Sequence, residues 1–121
     1  MVNEKRAELA DRVRALLAGE PTREEKRMFG SVAFMVNGRM LVATWGDGDL
    51  LVRVDPARSA ALQLRPGVRP AEMGAKRTSM GPGWLAVSAS AIADDGSLLE
   101  WIDVAREFNV AQGPARPTRR R

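Results

Sequence analysis

Histidine, cysteine and tyrosine are absent from the 121 residues of the chain. The side chains left to do chemistry are serines, lysines, arginines and carboxylates. Ser59, Ser79, Ser88, Ser90 and Ser97 act as nucleophiles only beside a base, and without imidazole that base must be Lys5, Lys26 or Lys76. Lys76 and Ser79 lie nearest in sequence, but their spacing in a strand or loop does not converge two side chains, so no Ser–Lys pair is expected. Asp47 and Asp49 of Gly46-Asp47-Gly48-Asp49 lack the further oxygens of a calcium loop and read as turn chemistry. The glycines of Met80-Gly81-Pro82-Gly83 are followed by neither Gly-Lys-Ser/Thr nor a helix start, so they read as a hairpin loop rather than a phosphate cradle. No catalytic residue, metal site or cofactor is expected.

What remains is binding through charge or apolar surface. Nineteen Lys and Arg against fifteen Asp and Glu give a net charge of +4. Arg116, Arg119, Arg120 and Arg121 account for all of it, so residues 1–113 are neutral overall. Within them, residues 53–77 are locally basic, with candidate patch residues Arg53, Arg65, Arg69, Lys76 and Arg77. Residues 94–107 are locally acidic through Asp94, Asp95, Glu100, Asp103 and Glu107. Segregation of this kind steers partners or pairs two copies. The four tail arginines, with the 53–77 patch, give a candidate nucleic-acid contact, weak because so few charges release so few counterions, and salt-dependent because counterion release drives it.

These side chains need a scaffold. The length is that of one domain on a prior of ~150 residues each, and 45% apolar with 28% charged residues is ordinary for a soluble globular chain. Leu9, Val13, Leu16 and Leu17 form one stripe of a helix over 4–18, with Asn3 as its cap and Gly19 and Pro21 as its stop. A charged stretch, 22–27, leads into three antiparallel strands across 31–54, broken at Asn37-Gly38 and at 46–49. Asp55-Pro56 caps a short helix to about residue 64, residues 72–77 and 84–89 are two further strands, and a helix over 97–109 follows Asp94 or Asp95. The resulting order α-β-β-β-α-β-β-α predicts an α+β two-layer domain, an antiparallel sheet with helices on one side, over residues 1–111. Residues 112–121 read as a disordered basic tail.

A regular register, pairing Val36 with Arg39 and Trp45 with Leu50, puts Val32, Phe34, Val36, Leu41, Ala43, Trp45, Leu50, Val52 and Val54 on the core face. Ala33, Met35, Met40, Val42, Thr44, Leu51 and Arg53 fall on the other. Met35, Met40, Val42 and Leu51 are too apolar for a solvated face, and methionine suits adaptable contacts, so they form the candidate interface of a homodimer. A second reading is a small-ligand pocket between the sheet and the last helix, near Trp45, Trp84 and Trp101. The N-terminal residues lack the apolar run of a signal peptide and no stretch reaches a membrane span, so a cytoplasmic location is expected.

Residues 27–54, from Arg27-Met28-Phe29-Gly30-Ser31 to Leu51-Val52-Arg53-Val54, resemble the N-terminal domain of the TfoX/Sxy family. That family opens its sheet with Met-Phe-Gly-Gly, turns at a glycine and ends a strand in a Leu/Val-Arg/Lys-Val pattern. Met80 to Phe108, a Trp-containing strand followed by Ala-Asp-Asp and a Leu-x-x-Trp helix, is similar too. The resemblance covers about residues 5–110, departing at Ser31, where a second glycine is usual, and at Met35 and Leu51, where aromatics are common. It implies a secretion-chaperone-like α+β fold and a regulatory role in bacterial competence, exercised with other transcription factors rather than by catalysis. It supplies no catalytic residues; Met28, Phe29 and Gly30 match its signature as an apolar anchor and a turn. Full-length relatives carry a second, helical C-terminal domain, for which no counterpart is expected here.

Overall fold

The computed structural model describes residues 4–28 and 30–113. Helix α1 (Glu4–Leu16) buries Leu9, Ala10 and Val13, the stripe expected from their spacing, and Leu17 completes it just beyond the helix. The Asn3 cap, Phe29 and the four tail arginines lie outside the described residues.

Four strands follow: β1 (Arg23–Met28), β2 (Ser31–Val36), β3 (Arg39–Trp45) and β4 (Asp49–Arg53). Asn37-Gly38 is the two-residue turn between β2 and β3, with both residues at positive φ as a twisted hairpin requires. Asp55 accepts a hydrogen bond from the Ala57 amide at 2.9 Å and starts a 3-10 turn, Pro56–Arg58, which runs into the short α2 (Ser59–Leu62). Then come β5 (Val68–Pro70), β6 (Glu72–Met73), β7 (Thr78–Ser79) and β8 (Trp84–Val87), a 3-10 turn (Ala89–Ile92) and α3 (Asp95–Gln112). Asp94 caps α3 by accepting from the Ser97 amide at 2.9 Å, and this bond holds its carboxyl below the usual range.

The main sheet is antiparallel and six-stranded, in the order β1-β2-β3-β4-β8-β5, so its two open edges are β1 and β5. Helices α1 and α3 cover one face. Between them and the sheet lies the main core, in which Phe34, Leu41, Leu50, Val52, Leu85, Leu98 and Ile102 are sealed from solvent. The fold is therefore the expected α+β arrangement, with more strands than the sequence pattern suggests.

Several expectations need correction. The charged stretch before residue 28 is strand β1: at an edge its side chains reach solvent, so no apolar alternation marks it. Residues 72–77 are not one strand but β6 and the turn, Gly74 to Arg77, of the β6–β7 hairpin, and the strand that joins the main sheet is β5, upstream. Trp45 pairs with Asp49 rather than Leu50, because the loop has three residues. The largest correction is a β-bulge. Met35 pairs with Met40 but Phe34 with Val42, which leaves Leu41 as the extra residue. Past that point the faces of β3 exchange: Leu41, Val42 and Thr44 point into the helix-side core, while Ala43 and Trp45 point to the opposite face. Val42, fully buried, is a core residue and not part of the outer face. Helix α3 runs to Gln112.

Candidate functional site

The face of the sheet that bears no helix is built around one row of directly paired residues, Ala33, Ala43, Leu51 and Ala86, crossing β2, β3, β4 and β8. Three of the four are alanines, so the row is a low floor, and taller side chains stand around it. Ala71, buried, is tied on by the bond from its amide to the Trp84 carbonyl at 3.2 Å, and the Met80 amide bonds the Ala71 carbonyl at 3.0 Å. These two bonds hang the β6–β7 hairpin beside the sheet as a wall.

The result is a cleft of about 600 Å³. Met28, Met40, Met73 and Met80 supply its sides and Trp45 one end. Its polar corner adjoins Trp45. There Arg6, reaching from α1, donates through Nε to the Gly46 carbonyl at 2.6 Å and through Nη1 to the Ser31 hydroxyl at 3.4 Å. A shallower hollow of about 330 Å³ continues the same face, between Met35, Met40, Arg39, Arg53, Trp84 and Gln112. Arg53 lies over the Trp84 ring at 4.8 Å and the Phe108 ring at 5.4 Å, a stacking that joins this end of the face to α3.

Of the candidate interface residues, the structure places Met35, Met40 and Leu51 on this face and Val42 on the other. Leu51 is buried at the base of the cleft, Met40 is half-buried in its side, and Met35 is half-buried in the shallower hollow. Met28 of the signature stretch lines the cleft. The basic candidates are scattered, with only Lys76 and Arg77 sharing the hairpin turn, and most hold a neighbour. Arg69 pairs with Asp49 at 2.8 Å and Arg77 with Glu72 at 2.9 Å, while Arg65 lies over the Trp101 ring at 5.1 Å. Lys76 is exposed in the hairpin turn. Asp49 also accepts from the Ala89 amide at 3.0 Å, so its carboxylate fastens β5 and the chain after β8. The Ser79 hydroxyl is taken up by the Gly81 amide at 3.1 Å, within its own turn.

The three tryptophans expected around one pocket stand on opposite sides of the sheet. Trp101 fills the space under α3 as a core residue, while Trp45 and Trp84 stand on the uncovered face. Sequence reasoning missed Trp45, Met73 and Met80 as parts of one surface. One signal was available: all five described methionines, Met28, Met35, Met40, Met73 and Met80, lie on this face, and the helix-side core holds none of them. Among the described residues no group of His, Cys, Asp and Glu side chains is placed to hold a metal ion, and no helix is long and apolar enough to cross a membrane.

Residues 15–109 match the family model described as TfoX N-terminal domain. Among solved structures, the chain is similar to a crystal structure of a protein from Pseudomonas syringae, a structural genomics target. The two share 13% identity and a TM-score of 0.58, over 81% of this chain and 96% of that one, a likeness of fold. No curated protein matches the chain.

Proposed function

The chain belongs to the TfoX N-terminal domain family, and on that premise we propose that it is a non-catalytic regulatory module, acting in transcriptional control through protein contacts and pairing with a second copy of itself. The contact surface is the Met35, Met40, Arg53 and Trp84 end of the helix-free face. One observation carries this reading: among the described residues the sheet has helices on one side only, and its other side is apolar, with Met35, Met40 and Trp84 only partly buried. Two half-buried methionines beside a tryptophan and a stacked arginine have the residue types that dominate contact energetics in protein interfaces. An isologous pair would lay this end of each sheet on its counterpart and remove both from water.

Light scattering after size exclusion, over a series of concentrations of the full chain, tests the reading. A dimer is expected, and Met35→Glu is expected to weaken it at least ~tenfold, since a charge is then buried without a partner. A chain that remains monomeric at every concentration sinks the pairing. Circular dichroism of Met35→Glu separates lost association from lost folding.

A further inference from the structure

We propose that the cleft beneath the β6–β7 hairpin is a binding site for a small planar aromatic molecule, two or three fused rings in size and carrying at most one polar substituent. The volume, about 600 Å³, falls within the range of roughly 300–1,000 Å³ in which pockets enclose small organic ligands. The shape argues for a flat occupant. Ala33, Ala43 and Leu51 are paired directly across three adjacent strands and line the base of the cleft, where the two alanines add only methyl groups.

The walls argue for an aromatic one. Four of the five described methionines stand around this floor. Thioether sulfur makes favourable contacts with the edges of aromatic rings, and the unbranched methionine side chain adapts to the outline of what it touches. Trp45 at one end offers an indole for offset or edge-on contact with a ring. Methionine is also a poor choice for specifying a rigid core, and among the described residues the helix-side core does without it. Its concentration here therefore fits a surface that repacks around a guest better than one that only needs filling. Polarity is confined to the corner formed by Ser31, Gly46 and Arg6, next to Trp45. A single polar corner in an otherwise apolar cleft orients a ligand by one substituent.

A second copy of the chain fits this space less well. The hairpin rises along one side of the floor, so a flat partner face would bridge the cleft and leave it empty. The site shares Met40 with the contact surface proposed above and stands whether or not the chain pairs.

The uncharged dye N-phenyl-1-naphthylamine, titrated onto the full chain, tests the proposal. Saturable one-site binding is expected, with brighter dye emission and quenching of tryptophan emission. Quenching should fall in Trp45→Phe and persist in Trp101→Phe. Met73→Glu, on the exposed hairpin, and Ala43→Leu, which raises the floor, should each weaken binding about tenfold, the loss of one good apolar contact. Met73 is more than half exposed, so its variant keeps the test valid if Ala43→Leu disturbs folding. Prebound 2-naphthol should displace the dye and decanoate should not. Absence of saturation overturns the proposal, as does binding unchanged in Met73→Glu. Displacement by decanoate and not by 2-naphthol overturns the aromatic assignment. Binding that weakens in step with dimer formation gives the cleft to the second copy and overturns the small-molecule site, while leaving the pairing itself intact.

Discussion

Two residues carry more of the structure than their types suggest. Glu25, in the charged edge strand, takes a two-pronged contact from Arg14 of α1, Nε at 2.6 Å and Nη2 at 2.9 Å. These bonds, together with the charges of Arg14, Arg23 and Arg27, hold the Glu25 carboxyl below the usual glutamate range. A carboxyl depressed in the folded state stabilises above its unfolded value and loses that contribution as the pH falls through its folded value. The Tm of the wild-type chain should therefore exceed that of Glu25→Gln near neutrality, and the gap should close in acid. Both side chains are partly exposed, so solvent screening limits the effect to about 0.5–1 kcal/mol. A gap that widens in acid would contradict this assignment. Gly67 is the other. It sits at φ +76°, and a Cβ there would stand 2.9 Å from the Cβ of Ala91. Gly67→Ala should cost about 2 kcal/mol in urea unfolding, from left-handed backbone and overpacking together. Its carbonyl also accepts from the Ser88 amide at 2.8 Å, so the strain falls where β5 joins β8.

Among the elements, β3 shows what a regular pattern can and cannot reveal. The Asn37-Gly38 turn, the Asp55 and Asp94 caps and the stripes of α1 and α3 are local, and they were legible because a few neighbouring residues suffice to define them. The bulge at Leu41 was not. Met40-Leu41-Val42-Ala43-Thr44 is apolar at almost every position, so alternation could not say which residue was extra, and the faces past it came out reversed. Thr44 was the available clue, since a hydroxyl on a core face needs a partner. It has one: the Val32 amide donates to its Oγ1 at 2.9 Å and extends the β2–β3 pairing by a side-chain bond. Thr44→Val keeps the shape and removes the acceptor, so it should cost about 1–2 kcal/mol in chemical denaturation. A neutral result would mean that the amide finds another acceptor. The candidate interface suffered from the same slip, with Val42 lost to the core and Trp45 gained by the open face. The cleft itself was hidden because its walls come from β1, β3 and a hairpin some thirty residues further on.

The molecule as a whole is unevenly secured. The six-stranded sheet is clamped by α1 and α3, whereas β6–β7 is a separate two-stranded ladder whose four residues are all exposed. Its hold on the body comes through the short run of backbone bonds at Ala71 and Met80. Elements with so little burial open first. Limited trypsin digestion should therefore make its first cut within residues 4–113 at Lys76 or Arg77, leaving the main sheet folded. Early cutting in α1 or α3 would contradict that order. The sheet also ends in two strands of a particular make. β1 offers the edge Arg-Glu-Glu-Lys-Arg-Met, and β5 offers Arg69 and Pro70 over three residues. Dense mixed charge on one side, and on the other a strand too short to template with a residue that cannot donate, both resist the addition of a further strand. Growth by stacking sheet edge to sheet edge is thus closed in both directions, which leaves the faces of the sheet for assembly among the described residues. Where copies of this chain associate through the isologous contact proposed above, they should stop at a closed, countable particle, and even concentrated solutions should stay free of filaments.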